Sequence, residues 1–203
     1  VDTDANGSAD LLGATVDAVA LRLTGARVYV DGIADLDVSG ALAVARVTPA
    51  GVGATTRYTA LKMGEVSVKV RVQPADSFGL TGTLEIRALD LNSAATGFAR
   101  LNWTRAFDFN ADGTRDLLNP GADLPTPAAL PIDLVSSLQL RVVGTVSGNS
   151  TVTYGATSVA NVLLTTGPVA IAGTAEFALT RQTADVDTDA NGSADLLGAT
   201  VDA

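Results

Sequence analysis

Eighteen residues, Val1 to Ala18, recur letter for letter as Val186 to Ala203. An identity of that length within one chain is a duplication, and it sets a period of 185 residues. The chain reads as one period of a tandem array followed by the opening of the next. A third, related stretch, Phe107 to Leu118, lies between the two copies. The repeated motif divides the chain into residues 1–107, residues 108–185 and residues 186–203, the last being the start of an identical repeat. A weaker echo links the halves: Phe98-Ala99 precedes Asp108 at the same spacing as Phe177-Ala178 precedes Asp187.

The motif is Asp-x-[Asp/Asn]-x-[Asp/Asn]-Gly-x-x-Asp. Oxygen donors at alternate positions let a tight loop wrap one ion, and the glycine permits the sharp turn. The candidate ligands are Asp2, Asp4, Asn6, the Ser8 carbonyl and Asp10 in the first loop. In the second they are Asp108, Asn110, Asp112, the Thr114 carbonyl and Asp116. In the third they are Asp187, Asp189, Asn191, the Ser193 carbonyl and Asp195. All are hard oxygens, with no imidazole or thiolate, which selects calcium over zinc or copper. Asp, Asn and Gly also build turns without metal. Against that reading, the clustered acids would repel one another, and Arg115 offsets the second loop only in part. This is not an EF-hand, because Gly13 and Asn119 stand at the twelfth loop position, where a bidentate Glu belongs.

Between the loops the periodicity is two. Val66, Val68, Val70 and Val72 alternate with polar residues. So do Leu84 and Ile86, then Leu138, Leu140 and Val142, then Ala175, Phe177 and Leu179. Leu36, Val38, Leu42 and Val44 share one phase, and the pattern predicts strands with one buried face. Strands are expected at 15–24, 26–31, 34–48, 55–62, 64–73, 80–91, 95–104, 132–147, 151–165 and 168–181. Turns are expected at Asp31-Gly32, 49–53, Pro74-Ala75-Asp76, Ser147-Gly148-Asn149 and Gly167-Pro168. Four of the seven prolines fall in 119–131, which marks an extended connector. The expected fold is all-β: long antiparallel strands in an elongated tandem-repeat architecture, as stacked sheets or sandwich-like units, with a β-solenoid as the alternative.

Composition narrows the function. The acids are nineteen Asp against three Glu, and the formal net charge of −9 disfavours nucleic-acid backbones as partners. No apolar run is long enough for a membrane-spanning helix. Cysteine and histidine are both absent, which removes disulfides, thiol nucleophiles and imidazole bases. No carboxylate pair stands out apart from the loops, so an enzyme is not expected. Trp103 with Phe107 and Phe109 can be read as a sugar-stacking platform or as packing beside the second loop. Asp31, Asp35 and Asp37 form a weaker cation candidate or a set of solvated turn carboxylates.

The loops, and Phe107 to Leu118 most closely, resemble the calcium loops of FG-GAP and VCBS-type β repeats. The Arg57-Tyr58-Thr59-Ala60-Leu61-Lys62 strand with its following valines, and the 119–125 segment leading into Pro131-Ile132-Asp133-Leu134, add to the picture. Together these features resemble a repeat of the giant tandem-repeat surface and adhesin-like proteins of bacteria. That resemblance implies export to the cell surface or the extracellular space. It also implies neighbouring identical repeats head to tail, self-assembly into a filament or stalk, and as an alternative an adhesin repeat that binds a glycan or a cell-surface receptor.

Overall fold

The structure, a computed structural model, describes residues 1–30, 34–72, 82–189 and 191–203. The alternating segments form β1 (Thr15–Val30), β2 (Ala34–Thr48), β3 (Tyr58–Val72), β4 (Gly82–Ala94) and β5 (Leu138–Ser147). These five strands are an antiparallel meander. β6 (Ser150–Tyr154), β7 (Thr157–Thr166) and β8 (Val169–Ala172) then make a small sheet of their own. The chain returns in β9 (Thr174–Val186), which pairs with β5, and ends in β10 (Leu196–Asp202), which pairs with β9. The result is one open seven-stranded sheet of order β1-β2-β3-β4-β5-β9-β10. The all-β, antiparallel expectation holds, and among the described residues there is neither a closed barrel nor a solenoid. The sole helical element described is a short 3-10 turn at Pro120–Asp123.

The core lies on one face of this sheet, beneath a long segment without strands, residues 95–137. The sheet offers small side chains there: Ala41, Ala43, Ala45 and Val47 on β2, and Ala60 beside Tyr58 on β3. The segment lays Leu101, Trp103, Ala106, Phe107, Leu130, Ile132 and Leu134 onto them. Large residues in the cover fill the space that the alanines leave open, as close packing requires. Asn92 of β4 fixes the cover in place. Its amide donates to the Leu101 and Val135 carbonyls at 2.9 and 3.0 Å, and its oxygen accepts from the Trp103 indole at 3.0 Å.

This arrangement reverses the expected burial of β2. Leu42 and Val44 are only half-buried, and the alanine phase is the buried one. Alternation reports that a strand has two unlike faces, but the large cover selects the face with room for it. The larger aliphatics are left on the open face, where Val19, Val44, Leu61, Leu91 and Leu140 form a row across five strands.

Several strand expectations are corrected. Residues 95–104 and 132–137 carry no strand, because they belong to the cover. Phe98 therefore has no strand role like that of Phe177, and the Arg57 guanidinium sits over its ring at 4.2 Å. The expected break near Gly25 is a bulge inside β1, with Gly25 at a φ of 59°. Residues 55–57 precede β3, which runs unbroken through the expected gap near Met63. A hairpin at 155–156 divides the expected 151–165 strand, and Gly173 divides 168–181. The turns at 49–53 and Gly167-Pro168 are present. Those expected at Asp31-Gly32 and Pro74-Ala75-Asp76 lie outside the described residues.

Candidate metal centre

The three Asp-rich loops share one backbone pattern. A base contact closes each of them. The Val1 carbonyl accepts from Asp10 N, the Phe107 carbonyl from Asp116 N and the Val186 carbonyl from Asp195 N, at 2.8–2.9 Å. The first Asp then turns inward and accepts from the glycine N–H five residues on. Asp2 takes Gly7 at 2.8 Å, Asp108 takes Gly113 at 3.0 Å and Asp187 takes Gly192 at 2.7 Å. The last Asp accepts from the N–H of the loop's second residue, pairing Asp10 with Thr3, Asp116 with Phe109 and Asp195 with Thr188. Asn6, Asp112 and Asn191 each accept from the N–H two residues ahead, on Ser8, Thr114 and Ser193. Ala5 and Ala111 occupy the same loop position and share a left-handed backbone, at φ of 62° and 58°. Such a conformation costs a non-glycine residue on the order of 1 kcal/mol or more.

These bonds gather carboxylates. Oxygens of Asp2, Asp4 and Asp10 come within 4.8 Å of one another, as do those of Asp187, Asp189 and Asp195. Two oxygens on one calcium ion, each about 2.3–2.6 Å from it, stand at most about 5 Å apart. The donor set and spacing of the first and third loops therefore fit calcium. The second loop brings no such trio together. Asn110 holds the position of Asp4 and Asp189, and Asp112 is turned towards the Thr114 N–H and hydroxyl.

The first loop differs from the third in its surroundings. Asp2 is 2% exposed, its N–H donates to the Ala106 carbonyl at 3.0 Å, and its Oδ2 receives the Arg115 guanidinium at 2.7 Å. Its Oδ1 is buried with no hydrogen-bond partner. A buried carboxylate oxygen in that state is costly, and Asp90 Oδ1 is the other such oxygen among the described residues. Asp187, in the identical sequence, is exposed. Arg115 thus serves the first loop, although in sequence it sits in the second.

Hydrogen bonds tune three of the acids. Asp10 is held below the usual carboxylate range by the Thr3 N–H first and the Thr3 hydroxyl second. Asp195 and Asp112 are lowered chiefly by the hydroxyls of Thr188 and Thr114. In each, these hydrogen bonds favour the ionised form.

Other candidates fare differently. Trp103 and Phe107 are buried, and Phe109 stacks on Phe107 with ring centroids 5.1 Å apart. The aromatic cluster packs beside the second loop, and a groove lined by Trp103 is not present among the described residues. Asp31 and the side chains of Asp35 and Asp37 lie outside what the structure describes. Sequence reading passed over Asp90, which is buried on β4 between Lys62 at 3.5 Å and Arg141 at 3.6 Å. Its alternation with Leu89 and Leu91 marks it only as facing the other side of its strand. Among the described residues no helix is long and apolar enough to cross a membrane. No family model, curated protein or solved structure matches this chain.

Proposed function

We propose that the chain is one period of a long extracellular filament or stalk of bacterial type, stiffened by calcium in its Asp-rich loops. The letter-for-letter return of Val1–Ala18 at Val186–Ala203 carries the reading. Each repeat of such an array contacts mainly its neighbours, so the array grows along one dimension. Calcium is supported by the orphaned Asp2 Oδ1 together with the carboxylates of Asp4 and Asp10. Modest-affinity calcium sites suit an extracellular setting, where the free ion is abundant. Electron microscopy of a chain of many periods in calcium tests the reading: a regular axial repeat is expected, and flexible threads without one would contradict it.

A further inference from the structure

The two copies of the repeated sequence use opposite edges of a strand. In the first copy, β1 pairs with β2 and its other edge is open. The Val47 carbonyl of β2 points towards β3, accepting from Arg57 N at 2.8 Å. Val16, the cross-strand partner of Val47, therefore turns its own N–H and C=O away from β2, and Ala18 does the same two residues on. In the second copy, Ala203 is the counterpart of Ala18, and it exchanges two hydrogen bonds with Thr180 at 2.8 and 2.9 Å. The edge that β1 leaves open is the edge by which its copy joins β9.

On the reading of the chain as one period of an array, we propose that the sheet passes unbroken through the joint. The β10 of one period is then the opening of β1 in the next, with the Asp-rich loop as the hairpin between β9 and that β1. The register seen in β9–β10 pairs Asp202, the counterpart of Asp17, with Arg181 through two bonds of 2.6 and 2.8 Å. Continued along the strands, it sets Val19 of the following period opposite Leu179, Leu21 opposite Phe177 and Arg22 opposite Glu176. The partners match in kind. Val19, Leu21 and Leu179 are 49, 46 and 41% exposed in the single period and become cross-strand neighbours, and Arg22 meets an acid. Asp17 comes to lie between Arg46 of its own period, its cross-strand partner on β2, and Arg181 of the preceding one. The joint also covers the open edge of β1 from Thr15 to Thr24, where Thr174 at the start of β9 comes opposite, and an open edge is a liability in any sheet protein.

Of the seven strands in the sheet, β10 belongs to the next period, which leaves six per repeat. At about 4.8 Å per strand the array advances roughly 29 Å per period.

The chain has no cysteine, so an engineered pair reports cleanly. In the full chain continued by a second period, Leu179→Cys in the first period is combined with Val19→Cys in the second. These positions form a non-hydrogen-bonded pair, about 4.5 Å between Cα atoms and within disulfide reach. Leu179→Cys with Ala20→Cys in the second period is the control, since Ala20 faces the other side. The first pair is expected to close at least about tenfold faster than the control. The unmodified multi-period chain is expected to show an axial repeat near 29 Å. Equal closure of the two pairs, or a regular repeat at a much longer spacing, overturns the continuous sheet and leaves the filament reading standing. Absence of any regular repeat contradicts the filament reading itself.

Discussion

The Arg115 guanidinium reaches the buried carboxylate of Asp2 at 2.7 Å, across 113 residues of sequence. This contact ties the first loop to the second and balances a carboxylate that the cover has removed from water. Arg115→Met leaves Asp2 buried without its cation. The expected loss is about 2–3 kcal/mol, below the range for a fully buried pair because the guanidinium is partly exposed. A calcium ion on Asp2 would restore part of that loss. Denaturation of Arg115→Met should therefore show a larger destabilisation in chelator than in calcium.

Asn92 is the second lock. Its side-chain nitrogen donates to two cover carbonyls and its oxygen accepts from Trp103. Asn92→Leu strands the Leu101 carbonyl and the Trp103 indole N–H in the core, while the Val135 carbonyl keeps the Leu138 N–H at 3.1 Å. The expected destabilisation is on the order of 3 kcal/mol, measured by urea denaturation. The strands should persist by far-ultraviolet circular dichroism while the Trp103 fluorescence moves to that of a more hydrated indole.

The acid limb of stability follows from the loop aspartates. Asp10, Asp112 and Asp195 have folded pKa values below their ordinary value of 3.8. Their contribution is complete above that value and is lost as pH falls through the lowered ones. Melting temperature should be insensitive to these groups near neutral pH and should fall below about pH 4. Thr114→Val and Thr188→Val should raise the pKa of Asp112 and Asp195, as read by NMR titration. Thr3→Val should raise that of Asp10 less, because there the backbone N–H is the larger cause.

The strands were legible because a half-buried strand writes its period directly into the sequence. The turns at 49–53 and Gly167-Pro168 were legible through proline and glycine. The cover was not, apart from its proline-rich end at 119–131. Residues 95–104 and 132–137 carry the aliphatic and aromatic side chains of a strand, yet they lie over the sheet as an irregular layer. No local pattern distinguishes a residue that packs onto a sheet from one that packs within it. The same long-range contact decided which face of β2 is buried. At the loops, the recurring Asp, Asn and Gly positions were readable from spacing. The role of Arg115 was not, because its partner lies in another loop.

Calcium binding at the first loop is the most exposed part of the account, and thermal melting of the full chain tests it directly. A site filled at one hundred times its dissociation constant adds about 2.7 kcal/mol. For a chain of this length that is about 5–10 °C in melting temperature. An upward shift of that size is expected on exchanging chelator for calcium, much reduced in Asp2→Asn. Equal melting temperatures of the unmodified chain in calcium and in chelator would contradict it.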